Sequence, residues 1–118
     1  MTPSERLQAT YQKQYKASRK HAYPSVQERK ANLEKLAQLL ESNTDRICAA
    51  IDKDYGGRSA NETLLLELTP LLGSVSYAKK RLNKWSKPKS RHVGLAFKGA
   101  SNKLIPQPKG VIGIVTPW

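Results

Sequence analysis

The sequence is poor in cysteine, in long apolar runs and, over its second half, in acidic residues. Cys48 is the single cysteine among 118 residues, which excludes an internal disulfide and any metal site built from several cysteines. No apolar run approaches the ~20 residues of a membrane-spanning helix. The N-terminal residues also lack the apolar stretch of a secretory signal. These absences predict a cytoplasmic protein without a membrane partner.

Positive charge is the compositional extreme, with 21 Lys and Arg, 9 Asp and Glu, and a formal net charge of +12. All 9 acids fall within residues 1–67, whereas residues 68–118 hold ten cations and no acid. Two explanations of this asymmetry are open. Either the basic half binds nucleic acid or another polyanion, or the chain is a fragment whose acidic complement lies elsewhere.

The first 86 residues have the periodicity and the end signals of helices. Capping-box sequences predict three helix starts, at Thr2, Ser25 and Ser59. Pro24 and Gly56 predict helix ends, because the residue before a proline avoids helical geometry and glycine readily adopts the left-handed conformation. We therefore expect four helical segments, broken near Pro24, Asn43 and Gly57.

The last helical segment has the longest apolar face. Its members are Leu64, Leu65, Leu68, Leu71, Leu72, Val75, Leu82 and Trp85. Pro70 lies within this segment and should kink it, because proline removes one backbone hydrogen bond. On the preceding helix, Cys48 is predicted to pack as a small apolar residue and not to act as a nucleophile.

The C-terminal part of the sequence has the features of a β-hairpin. Residues 87–103 have no helical period and predict an extended connection. The runs 103–107 and 111–115 predict two strands, joined by a turn at Pro108, Lys109 and Gly110. The second run is apolar on both faces, a pattern typical of a strand covered on both sides. The fold class expected is mainly α, with about four helices followed by a C-terminal β-hairpin.

Catalytic groups are scarce in the sequence. Neither common phosphate-binding loop, GxGxxG or GxxxxGK[ST], is present. His21 and His92 lie far apart and are predicted to be ordinary surface histidines, so no metal site is expected. Acids such as Glu62 and Glu67 are predicted to form a solvated face or to stabilise a helix N-terminus. No residue of this chain is predicted to be catalytic.

The last residues, QPKGVIGIVTPW, resemble the segment that leads into the core of NAD(P)-dependent aldehyde dehydrogenases. The matching positions are Pro108, Gly110, Val111, Gly113, Val115, Pro117 and Trp118. Upstream, a recurring N-terminal helix pattern of that family fits Arg29, Leu33, Leu36, Asp45, Ala50, Ile51, Asp54, Gly56 and Glu62. The turn 54–59 and the segment 79–85 are most similar to the coniferyl aldehyde dehydrogenase branch. The resemblance covers about residues 23–118.

This resemblance implies an N-terminal fragment of an α/β enzyme that oxidises an aldehyde, such as coniferyl aldehyde, with NAD or NADP. It assigns residues 1–99 to the helical part of the NAD-binding domain, 100–114 to an oligomerisation hairpin, and 115–118 to the start of the first strand of the nucleotide-binding sheet. In the family this last segment lines the cofactor pocket, which implies a cofactor-binding role for Val115, Thr116, Pro117 and Trp118.

The resemblance also implies what the chain lacks. The family's catalytic cysteine, its glutamate and its dinucleotide-binding motif belong to sequence beyond Trp118. The 118-residue chain alone should therefore be inactive and bind no cofactor. The parent enzyme would take an aldehyde substrate and form a homo-oligomer through the C-terminal strands.

Two hypotheses follow from the sequence. The chain is part of an aldehyde dehydrogenase, or it is a free-standing basic helical module that binds nucleic acid or another polyanion. The first also accounts for a strand that is apolar on both faces, whereas the second accounts only for the charge.

Overall fold

The structure is a computed structural model in which residues 2–116 are described. The helical elements are α1 (Pro3–Lys20), α2 (Val26–Ser42), α3 (Thr44–Tyr55), α4 (Ala60–Thr63), a π-helical turn (Leu64–Leu68) and α5 (Thr69–Ser86). Two strands, β1 (Lys89–Arg91) and β2 (Asn102–Leu104), flank a short 3₁₀ turn (Leu95–Phe97). The predicted fold class, mainly helical with a C-terminal hairpin, is confirmed.

The chain divides into two compact units. The helical unit consists of residues 25–87, from α2 to α5. The terminal unit consists of residues 2–24 together with residues 88–116, and it contains α1 and the hairpin.

Side-chain caps begin three of the helices, as the sequence predicts. The Glu5 N–H donates to Thr2 Oγ1 at 3.2 Å, and the Thr2 N–H donates to Glu5 Oε2 at 2.8 Å. One half of this arrangement recurs at two other helix starts. The backbone N–H of Glu28 donates to Ser25 Oγ, and that of Glu62 donates to Ser59 Oγ. These bonds give partners to N–H groups that have none within the first helical turn.

The breaks between helices also fall where the sequence places them. Gly56 ends α3 with a φ of 69°, in the left-handed region that glycine enters at little cost. The predicted breaks near Pro24 and Asn43 are also observed: α1 ends at Lys20, and α2 ends at Ser42. The prediction of four helical segments is confirmed.

Pro70 is accommodated by a wider helical turn. The N–H of Thr69 donates to the carbonyl of Leu64, five residues earlier, in place of the usual four. Proline has no N–H, and its ring would clash with the carbonyl four residues before it. The π-helical turn therefore lets the chain pass Pro70 and continue directly into α5.

The core of the helical unit lies where α2 packs on α5 and where α3 meets α4 and the π-helical turn. Its buried apolar side chains are Cys48, Leu68, Val75 and Leu82. Polar contacts also join α2 to α5: Arg29 Nη1 donates to Ser86 Oγ at 3.2 Å, and Lys79 pairs with Glu34. The packing role predicted for Cys48 agrees with its burial.

The long apolar face of the last helical segment is only partly covered. Leu68, Val75 and Leu82 are buried, whereas Leu65 is 67% exposed and Trp85 is 46% exposed. Within residues 2–116, the part of the predicted face that is buried in the core therefore consists of Leu68, Val75 and Leu82.

The C-terminal hairpin uses different strands from those predicted. β1 and β2 are antiparallel, with Lys89 opposite Leu104 and Arg91 opposite Asn102. The predicted pairing of 103–107 with 111–115 is wrong, because residues 105–116 have no regular secondary structure. Pro106 and Pro108 have no N–H to donate to a ladder, so pairing stops at Leu104. The partner strand comes instead from the stretch predicted to be only a connection.

Candidate functional site

The residues predicted to line a cofactor pocket lie at the C-terminal end of the described chain. Val115 is 98% exposed, and Thr116 is also exposed, in a stretch without regular secondary structure. Pro117 and Trp118, which complete the predicted lining, lie outside the described residues. The structure therefore places two of the four side by side on the surface, and their cofactor role stays a prediction.

The apolar run that precedes these residues is also open to solvent. Ile112 is 67% exposed and Ile114 is 83% exposed. Contiguous apolar surface of this kind marks a site where a protein contacts another element or another chain. The run therefore leaves large apolar side chains uncovered in the described part of the chain.

A second feature of the terminal unit is a cavity of about 330 Å³ beside α1. One wall is formed by Tyr11, Tyr15 and Arg19, which follow one another at four-residue spacing on α1. The opposite wall is formed by residues 108–111. The α1 wall could be recognised in the sequence from the four-residue spacing of these side chains. The second wall is some 90 residues further along, so sequence reasoning missed the cavity.

In the helical unit, Arg58 organises the turn between α3 and α4. Its Nη2 donates to Glu67 Oε1 at 3.0 Å, and its side chain is 14% exposed. Its Nε lies 3.4 Å from Glu62 Oε1, an ion-pair distance without hydrogen-bond geometry. The guanidinium carbon lies 5.2 Å from the centre of the Tyr55 ring, close enough for a cation–π contact. Glu62 and Glu67 therefore act as partners of a structural arginine.

Metal and thiol chemistry have little support in the described structure. Within residues 2–116, no three His, Cys, Asp or Glu side chains lie close enough together to hold a metal ion. Cys48 Sγ lies 3.9 Å from the carbonyl oxygen of Ala60 and is enclosed by its neighbours.

In the part of the chain that the structure describes, no helix has the length and apolar character needed to cross a bilayer.

Residues 2–118 match the model of the aldehyde dehydrogenase family, and the chain belongs to this family. It is 41% identical over 112 residues to a "Probable coniferyl aldehyde dehydrogenase" of Pseudomonas aeruginosa, covering 95% of this chain and 24% of that protein. A second relative with the same description, from Caulobacter vibrioides, is 33% identical over 110 residues, which are 91% of this chain and 23% of the relative.

A third relative, a coniferyl aldehyde dehydrogenase of Pseudomonas sp. strain HR199, is 28% identical over 115 residues, covering 98% of this chain and 24% of the relative. The chain thus spans about a quarter of the length of these relatives. The resemblance to aldehyde dehydrogenases, and to the coniferyl aldehyde branch in particular, is confirmed. Nothing in the comparisons supports the alternative of a basic module that binds nucleic acid.

Proposed function

We propose that this chain is part of an enzyme that oxidises an aldehyde to the carboxylic acid, with NAD or NADP as the hydride acceptor. The observation that carries this proposal is the family match over residues 2–118. The three relatives described above are named for coniferyl aldehyde, which favours an aromatic aldehyde of that type as substrate.

In this proposal the chain contributes scaffold and one edge of the cofactor site. Residues 1–99 belong to the helical part of the NAD-binding domain, and residues 115–118 begin the first strand of the nucleotide-binding sheet. The support for a cofactor contact is the resemblance of residues 115–118 to the segment that lines the cofactor pocket in the family.

The described members of this segment fit a cofactor-lining role. Val115 offers an apolar side chain, and Thr116 offers a hydroxyl that can donate or accept a hydrogen bond. Both side chains are exposed and therefore free to contact a ligand. The bound nicotinamide would supply the hydride acceptor, and these two residues would help to position the cofactor.

We also propose that the parent enzyme is a homo-oligomer in which residues 100–114 join a sheet between subunits. The support is the exposure of Leu104 at 52%, Ile105 at 59% and Ile112 at 67%, which leaves apolar side chains available for such a contact. A cytoplasmic location stays a prediction from the sequence.

The test of the proposed activity is an oxidation assay on the protein expressed from the complete open reading frame that encodes these residues. We expect formation of reduced nicotinamide cofactor that depends on coniferyl aldehyde. No such turnover is expected from the 118-residue chain alone. A folded protein that oxidises neither coniferyl aldehyde nor other aromatic aldehydes would contradict the proposal.

The cofactor role of Thr116 has its own test in the same assay. Thr116→Val keeps the shape of the side chain and removes the hydroxyl, so the KM for NAD(P)⁺ should rise, by about tenfold for one lost hydrogen bond of ~1.4 kcal/mol. Thr10→Val is the matched control, because Thr10 lies on α1 and its hydroxyl donates to the Arg6 carbonyl. An equal effect of both variants would argue against a cofactor contact at Thr116.

A further inference from the structure

We propose that the cavity beside α1 binds a small aromatic anion, a planar ring that carries a carboxylate or phosphate group. This site involves residues different from those given a cofactor role, and it does not depend on the proposed function. Three features of the cavity carry the inference: an aromatic wall, two cationic side chains in a lining without a described acid, and a turn that approaches α1.

The aromatic wall is formed by Tyr11 and Tyr15. Their ring centroids lie 5.9 Å apart with an interplanar angle of 29°, so the two rings are stacked along α1. The two residues are 44% and 46% exposed, so neither is covered by the rest of the described chain. A planar aromatic group gains contact area and favourable quadrupole interactions against such rings.

The charge of the cavity comes from Arg19 and Lys109, one on each wall. None of the described residues that line the cavity is acidic. Glu5 is the single acid in the sequence of residues 1–24 and 88–118, against ten Lys and Arg. Arg19 presents a planar fork that matches the geometry of a carboxylate or a phosphate, and Lys109 adds a second positive charge.

The second wall is a turn that approaches α1 at Gly110. Gly110 has a φ of 92°, in the left-handed region, and a Cβ built there would lie 3.9 Å from Ser18 Oγ on α1. Pro108 precedes this turn and restricts its backbone. The resulting volume of about 330 Å³ is at the small end of the range for ligand pockets, which fits a single-ring compound.

The experiment titrates small ligands into the 118-residue chain. Two-dimensional NMR of the backbone amides monitors their binding. The probes are benzoate and phenyl phosphate, with inorganic phosphate and benzyl alcohol as comparisons that carry only the charge or only the ring. We expect both aromatic anions to shift the amide signals of α1 and of residues 108–111. Their dissociation constants should be lower than those of inorganic phosphate and benzyl alcohol. The stronger of the two identifies the anionic group that the cavity prefers.

Variants assign the binding to the cavity. Arg19→Gln should weaken binding of the preferred aromatic anion by about tenfold, the effect of losing one charged hydrogen bond. Tyr15→Leu should weaken the aromatic anions and leave inorganic phosphate unchanged. Lys16→Gln is the matched control, because it removes a positive charge from α1 at a residue outside the cavity lining.

Three outcomes would overturn the inference. They are the absence of saturable binding by both aromatic anions, equal affinity for inorganic phosphate and phenyl phosphate, and equal weakening by Arg19→Gln and Lys16→Gln. Far-ultraviolet circular dichroism of each variant verifies that α1 is retained. If Arg19→Gln loses helix content, Lys109→Gln on the opposite wall tests whether positive charge in the cavity contributes to binding.

Discussion

Arg58 and Glu67 form an ion pair of 3.0 Å that joins the turn after α3 to the π-helical turn before Pro70. The two residues are nine positions apart, so the pair holds a turn against the helix that follows it. The Arg58 side chain is 14% exposed, whereas that of Glu67 is 50% exposed. This pair should therefore be less screened by solvent than an ordinary surface pair.

We expect a double-mutant cycle of Arg58→Gln and Glu67→Gln to give a coupling free energy of about 0.5–1 kcal/mol in favour of the folded state. Urea unfolding of the four proteins measures it. Glu41→Gln, which removes one negative charge from α2, is the control for net charge. A coupling indistinguishable from zero would show that the pair adds nothing to stability.

Gly73 lies inside α5, where an alanine should be tolerated. A Cβ built at this position meets no atom within 4 Å, and its φ is not positive. Gly73→Ala should therefore raise the free energy of unfolding by about 0.5–1 kcal/mol, because alanine loses less backbone entropy in a helix. Urea unfolding checks this value.

Gly56 provides the contrasting variant. It also has no atom within 4 Å of a built Cβ, but its φ is 69°. Gly56→Ala should lower the free energy of unfolding by about 1 kcal/mol, because an L residue is strained in the left-handed region. Opposite signs for the two substitutions are the expected result, and a shared sign would contradict the helix assignment at one of them.

Leu68 anchors the π-helical turn in the core. It is 4% exposed, whereas Leu65 in the same turn is 67% exposed. Leu68→Ala should lower the free energy of unfolding by about 2–5 kcal/mol, since it removes buried methyl groups and leaves a cavity. Leu65→Ala should change it by less than about 0.5 kcal/mol. Comparable losses from the two variants would show that the core lies elsewhere.

The helices could be predicted from the sequence because their signals are local. A serine or threonine at the N-cap and Gly56 at a C-terminus each act on a few neighbouring residues. The cap at Thr2 and the left-handed Gly56 are both present in the structure. The burial of Cys48 could likewise be predicted from its apolar neighbours on α3.

The strand pairing was not predictable from the same kind of signal. Pairing joins residues that are distant in sequence, and the predicted turn at 108–110 suggested the nearer partner. Lys89 pairs opposite Leu104 instead, because the prolines at 106 and 108 remove two N–H donors from the expected ladder. The cavity beside α1 depends on the same kind of distant contact.

The proposed role of this chain is that of a segment of an aldehyde dehydrogenase. A chimera tests it most directly, in which this chain replaces the segment that it matches in the Pseudomonas aeruginosa relative. Both proteins are assayed for coniferyl-aldehyde-dependent reduction of NAD⁺ and NADP⁺, with circular dichroism as the measure of folding. We predict that the chimera keeps a kcat/KM within about tenfold of the parent, a loss of no more than ~1.4 kcal/mol in transition-state stabilisation. A folded chimera without activity, beside an active parent, would contradict the claim.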